Sequence, residues 1–407
     1  MTSPRLDDAR VLMYSHDTFG LGHLRRCREI AHALVEAWRG LSVMIISGAT
    51  IAGAFDYRVR VDFVKIPSVI KLRNGEYTSM AQHTSLQDTL EMRKAIIRQT
   101  AEAFRPDIFI TDKEPLGLQS EIEETLVALK ARGTTMVLGL REVMDAPHLL
   151  RAEWGAKDVL RKVEALYDTI WVYGPPAFHD PMAGMDVSPE FRRRMRYTGF
   201  LERSLPRSEP AGARPPGDYI LVTGGGGGDG ADLFRDVLAA HRADPGIGQT
   251  LMVLGPYLPA AERQIFMAEA EALPLVTAIG FDNRMEDLVA GARGVVGMCG
   301  YNTFCEILSF DRPALVVPRV APRMEQAIRA RRAADLGLVQ LMMPDAAADP
   351  RHLAAALRAL PDAPRPSQAG AAMELGAADM GGLAFIARDV GNWLAGRQAP
   401  HLSAVPV

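Results

Sequence analysis

Cysteine is scarce: Cys27, Cys299 and Cys305 are all that the 407 residues contain. No two of them have zinc-site spacing, and they suggest no disulfide framework. Cys299 and Cys305 are expected to be small core residues beside a turn. A basic excess is also missing. The formal net charge is -3 at pH 7, which argues against a nucleic-acid partner. Carboxylates clustered at metal-ligand spacing are missing as well, so neither a metal nor a resident cofactor is expected. No apolar run is long enough to span a bilayer. The opening residues, MTSPRLDDAR, carry acids and no apolar h-region, so no signal peptide is expected and the cytoplasm is the default location.

What is present describes a globular chain, 48% hydrophobic and 23% charged. Its length exceeds one ordinary core and predicts two domains. Apolar runs predict strands at Val11–Ser15, Val43–Ser47, Val61–Ile66, Ile108–Thr111, Met136–Leu140 and Ile170–Val172. Helical periodicity lies between them, at Cys27–Val35, Ser85–Phe104 and Ser120–Arg132. Pro67 to Thr84 is polar and without clear period, the pattern of a functional or mobile loop. Prolines 206, 210, 215 and 216 mark a linker. A second alternating unit follows, with strands at Tyr219–Thr223, Thr250–Leu254, Val276–Ile279, Val295–Met298, Ala314–Val317 and Val339–Leu341. The expected layout is domain 1–203, linker 204–217, domain 218–398 and a loose tail 399–407. Alternating strands and helices predict doubly wound parallel sheets, which hold ligands at the carboxyl ends of their strands.

Both halves open with strand, glycine loop and helix. The first loop carries Gly20, Gly22 and His23, with Arg26 one turn on. A histidine there suits a general base near neutral pH, or a phosphate or acceptor contact. His16 and Asp17 are local rivals for the role. The second loop is five consecutive glycines, Gly224 to Gly228. Dinucleotide binding is rejected, because the strand after it ends in Gly255-Pro256 and not in an acid. In the first loop the third fingerprint glycine is replaced by Arg25.

The most informative stretch is GVVGMCGYNTFCEILSFDRPALVVPRVAPRMEQAIRARR, residues 294–332. A strand runs into a turn at Gly300. Asn302 and Thr303 are expected to cap the following helix, with Glu306 about one turn further in. Free N–H groups and the helix dipole favour a phosphate there. A second strand ends at Pro318, and Glu325 with Gln326 opens the next helix. Together these place a phosphate site, a carboxylate and a carboxylate–amide pair along one sheet edge. That is a layout for a nucleotide diphosphate and a polyhydroxylated group attached to it.

Gly300, Thr303, Glu306, Pro313, Pro318 and Gln326, in this order and spacing, resemble the C-terminal half of GT-B glycosyltransferases. The likeness is to family 28, the branch with the peptidoglycan N-acetylglucosaminyltransferase. GLGHLRRC also resembles the loop of a GT-B nucleotide-sugar hydrolase of pseudaminic acid synthesis. The resemblance implies two Rossmann-like domains facing across a cleft, and a metal-independent transferase using a nucleotide sugar, a UDP-sugar. It implies His23 as base, and Gly20, Gly22, Gly225, Gly226 and Gly227 at the donor phosphate or acceptor. Phe281 and Met285 would cradle the base, and Gly300, Tyr301, Asn302 and Thr303 would hold the diphosphate. Glu306 would bind the ribose, and Glu325 and Gln326 the donor sugar. Arg319 and Arg323 would neutralise phosphate. Asp112-Lys113-Glu114 and Arg141-Glu142-x-x-Asp145 follow strands of the first half and so point at the cleft, as acceptor-side or auxiliary acid candidates. The basic cluster Phe191 to Arg196 suggests peripheral contact with the inner membrane face, or else a solvated helix end. A sugar hydrolase, a non-catalytic nucleotide-sugar-binding subunit and an epimerase are the alternatives; the acceptor is unnamed.

Overall fold

The computed structural model describes residues 8–16, 21–71, 77–80, 83–206, 218–226, 228–369 and 377–398. In chain order the first domain contains β1 (Ala9–Ser15), α1 (Gly22–Ala37), β2 (Leu41–Ser47), β3 (Val61–Lys65), β4 (Val69–Lys71) and β5 (Tyr77–Ser79). It continues with α2 (Leu86–Phe104), β6 (Ile108–Asp112), α3 (Glu123–Ala131), β7 (Thr135–Arg141), α4 (Pro147–Gly155) and α5 (Val159–Leu166). It ends with β8 (Thr169–Tyr173), α6 (Pro189–Arg194) and β9 (Met195–Tyr197). The second domain has β10 (Ile220–Thr223), α7 (Ala231–Ala243), β11 (Thr250–Val253), α8 (Ala260–Glu271), β12 (Val276–Ile279) and α9 (Met285–Gly291). Then come β13 (Gly294–Gly297), α10 (Tyr301–Ser309), β14 (Ala314–Val316), α11 (Glu325–Asp335) and β15 (Gln340–Leu341). The helices α12 (Pro344–Ala347), α13 (Pro350–Ala359) and α14 (Gly382–Gln398) close the described chain.

The two main sheets are parallel and wound alike. The first has seven strands in the order β3-β2-β1-β6-β7-β8-β9, and the second six in the order β12-β11-β10-β13-β14-β15. In each, the order reverses beside the first strand, between β1 and β6 and between β10 and β13. That reversal opens a crevice at the strands' carboxyl ends. Strands covered on both faces read as near-continuous apolar runs. In β1, Val11 and Met13 join one core while Leu12 and Tyr14 join the other.

Three strands were not legible as such. The polar segment from Pro67 contains the antiparallel β4–β5 hairpin, and β9 adds a seventh strand at the sheet edge. The basic cluster at 191–196 is a solvated helix end: Arg192, Arg193 and Arg196 are exposed. Phe191 is buried in the core. Arg192 pairs with Asp180, Arg193 and Arg194 with Glu190, and Arg196 with Asp389. No helix among the described residues is long and apolar enough to cross a membrane.

The domains interlock. One hydrophobic cluster runs from Val11 and Leu24 through Phe200 to Phe304, Val295 and Leu221. The final helix, α14, returns to the first domain: Trp393 stacks on Trp171 at 5.7 Å, and Trp38 Nε1 donates to Ala387 O at 2.8 Å. Beneath the cleft, Arg329 of α11 is fully buried against Glu142, which follows β7. Its Nε donates to Glu142 Oε1 at 2.5 Å, and Nη1 to Cys299 O at 3.1 Å.

A buried pair of this kind adds little net stability, but removing one partner strands the other charge. Arg329→Met should therefore destabilise the protein by about 3–5 kcal/mol, read as a lower denaturant midpoint. Adding Glu142→Leu should recover much of the loss. A single variant as stable as wild type would contradict this reading of the pair.

Candidate functional site

The crevices of the two sheets face one another and enclose a cavity of about 610 Å³. From the first domain, His16, Gly22, His23, Lys113, Glu114 and Arg141 line it. From the second come the glycine loop, Phe281, Met285, Gly300 to Thr303, Arg319, Glu325 and Gln326. Gly20, Asp17 and Gly227 lie outside the described residues.

His23 stands in the first turn of α1, which starts at Gly22, earlier than the apolar periodicity indicates. Its Nδ1 lies 2.6 Å from Asp112 Oδ2. Asp112 ends β6, the neighbour of β1 in the sheet, so the switch point itself brings the two together. Arg26, one turn along α1, donates Nε to Asp112 Oδ1 at 3.1 Å and Nη2 to Oδ2 at 2.6 Å. Burial opposes charge on Asp112, but Arg26 and the His23 hydrogen bond outweigh it and hold the carboxyl well below its usual range. An ionised carboxylate only accepts hydrogen bonds, so the proton sits on His23 Nδ1, and Nε2 is the basic nitrogen. Burial lowers the His23 pKa against the opposing pull of Asp112. His16 is the weaker rival: burial pushes it down to about 4, and Tyr14 Oη lies 3.4 Å from its Nδ1.

Across the cavity, α10 starts at Tyr301 with Gly300 as its N-cap and no side-chain cap. Asn302 and Thr303 are thus inside the first turn and do not cap it. Asn302 bridges the domains, accepting from Arg203 Nη2 at 2.9 Å and donating to Gly22 O at 3.2 Å. No heavy atom lies within 4 Å of a Cβ built on Gly300, so the helix N-terminus is open to a ligand. In the glycine loop, Gly225 has φ +68°, a conformation that favours glycine. Phe281 packs edge-on to Phe55 of the first domain at 5.9 Å, and both rings line the cavity.

Glu306 is placed otherwise than its expected ribose contact requires. It is fully buried and does not line the cavity. Arg25 of α1 pairs with its Oε1 and also with Glu286 Oε1, the latter at 2.8 Å. The other oxygen of each carboxylate has no partner. Burial, with Glu286 nearby, raises the Glu306 pKa against Arg25. The spacing within 294–332 could not reveal an arginine 281 positions away that occupies this carboxylate.

Arg319 and Arg323 are not free to neutralise phosphate. Arg319 pairs with Asp229 and Glu325, and Arg323 with Asp145 and Glu153. Gln326 Oε1 accepts from Arg319 N at 3.0 Å, so Glu325 and Gln326 both reach the cavity with fixed orientation. Glu142 and Asp145 are interdomain struts and not acceptor contacts: Asp145 also accepts from Met324 N at 2.8 Å.

Residues 219–380 match the glycosyltransferase family 28 C-terminal domain. An uncharacterized glycosyltransferase of Methanosarcina acetivorans is 24% identical over 333 residues, 74% of this chain and 77% of that protein. The glycosyltransferase of kitacinnamycin superposes with a TM-score of 0.63 at 18% identity, covering 95% of this chain and 99% of the other. Medicago truncatula UGT71G1, complexed with UDP-glucose, gives 0.60 at 12% identity, covering 95% and 98%. The domain match falls on the half of the cleft built by the glycine loop and α10, and the relatives carry the likeness across both sheets. The C-terminal domain is therefore of the family 28 kind, and the chain as a whole shares the two-domain fold of solved glycosyltransferases.

Proposed function

We propose that the protein transfers a hexosyl group from a UDP-sugar to an acceptor hydroxyl, with His23 as general base. The observation that carries this reading is the 2.6 Å contact of His23 with Asp112, on the wall opposite the open N-terminus of α10. Uridine would lie by Phe281 and Met285, and the diphosphate between the glycine loop and Gly300. Glu325 and Gln326 would meet the sugar hydroxyls. The structure complexed with UDP-glucose supports this donor class by analogy of fold.

In the reaction, the acceptor O–H proton passes to His23 Nε2 as the oxygen bonds to the anomeric carbon. The bond from that carbon to the diphosphate breaks, and its electron pair leaves with UDP. The free N–H groups at the start of α10 face the charge that develops on the leaving group. Asp112 stabilises the imidazolium while the proton is held. Pure protein incubated with UDP-sugars and an acceptor extract should release UDP without a matching amount of free sugar. Equal UDP and free sugar, with or without acceptor, would make it a hydrolase instead.

His23→Ala should lower turnover by about 10²–10⁴-fold and leave UDP affinity nearly unchanged. Normal turnover would place the base elsewhere, and loss of UDP binding would make His23 a phosphate ligand. The pH profile has a sign. The base works when neutral, and its pKa is lowered. The acidic limb of kcat/KM should therefore lie below the ordinary histidine value of about 6.5. In Asp112→Asn it should move lower still as the rate falls, because the group that raises the His23 pKa is gone. A limb above that value in wild type would contradict the assignment.

A further inference from the structure

We propose that Arg141 is the residue through which the N-terminal domain holds the diphosphate of the donor. This rests on the UDP-sugar reading above. Every other arginine on the cavity wall already faces a carboxylate: Arg25 with Glu286 and Glu306, Arg26 with Asp112, Arg319 with Asp229 and Glu325, Arg323 with Asp145 and Glu153. Lys113 has Glu114 at 2.6 Å, and Lys157 lies exposed at the rim. Among the described residues Arg141 alone is a sheltered cavity cation without an ion pair. Its one side-chain hydrogen bond is long, Nη2 to Met144 O at 3.5 Å, and its buried Nε has no partner.

Such a group is costly unless something completes it. Burial pushes the Arg141 pKa down to about 10; Glu325 resists this, while Arg26 and Arg329 add to it. At neutral pH it stays charged. Its place in the fold points to the ligand. Arg141 is the last residue of β7, beside the end of β6 that carries Asp112. It faces Glu325, whose Oε2 is also buried without a partner, yet the two form no ion pair. Arg319 links Glu325 to Asp229, the residue that follows the five glycines. Arg141 thus looks across the cavity at the border between the glycine loop and the sugar-side carboxylate. With the remaining charges matched in pairs, a diphosphate entering here would find one uncommitted cation besides the partial charge of the α10 N-terminus. A nucleoside without phosphates would gain nothing from it.

The test is calorimetric titration of the full chain with uridine, UMP and UDP, for wild type, Arg141→Gln and Arg141→Lys. Arg141→Gln should lose UDP affinity by roughly 10- to 100-fold, the effect of a charged hydrogen bond, with uridine unchanged. Arg141→Lys should retain part of the affinity, since it keeps the charge but not the planar fork. UDP bound equally by wild type and Arg141→Gln would overturn the proposal and leave the transferase reading intact. Loss of uridine and UDP alike in both variants would make Arg141 a structural residue and overturn it too. A wild type that binds neither uridine nor UDP would sink the donor reading and this proposal together.

Discussion

Asp112 is the residue on which the site depends. It is a buried carboxylate at the switch point of the first sheet, and both neighbours that satisfy it come from α1. Arg26 supplies the charge that lets Asp112 stay ionised in the interior. The ionised carboxylate then fixes the tautomer and orientation of His23. Arg26 also lies over the ring of Tyr301 at 5.5 Å, and Arg329 over the same ring at 5.7 Å. Tyr301 is the first residue of α10, and its Oη accepts from Leu201 N at 3.2 Å. His23 in one domain and the open N-terminus of α10 in the other are therefore parts of one packed unit. A substitution at Asp112 would disturb both His23 and the interdomain packing through Arg26.

The same interlock governs the charges. Most cations of the cleft are matched across or along the domain boundary, so the wall is nearly neutral before a ligand arrives. Arg25 illustrates the consequence. By lying between Glu286 and Glu306 it shields two buried carboxylates from each other and removes both from the cavity. The groups left uncommitted are the open backbone at Gly300 and the Arg141 guanidinium, and on the proposed reading they recognise the donor.

Much of the architecture was legible in the sequence because parallel sheets covered on both faces write themselves as apolar runs. Strand β12 falls at the positions its run marks, and β2 and β10 differ from theirs at one end only. Gly22, Gly225, Gly226, the Gly300 turn, Phe281, Met285, Glu325 and Gln326 all reach one cavity. What escaped depends on distance along the chain. The Asp112–His23 contact spans 89 positions, and the Glu142–Arg329 pair 187. No local spacing encodes either. The capping reading of Asn302 and Thr303 failed because Gly300 already supplies the extended N-cap backbone, which frees Asn302 to reach Arg203 and Gly22. The β4–β5 hairpin escaped because its three-residue strands are too short to show alternation.

The most direct measurement is a crystal structure of the full chain with a non-transferable UDP-sugar analogue. The account predicts the diphosphate at the N-terminus of α10 beside Gly300 and the glycine loop, the uracil near Phe281, and the anomeric carbon facing His23 across room for one acceptor oxygen. A nucleotide seated outside this cleft, or one whose anomeric carbon points away from His23, would contradict it.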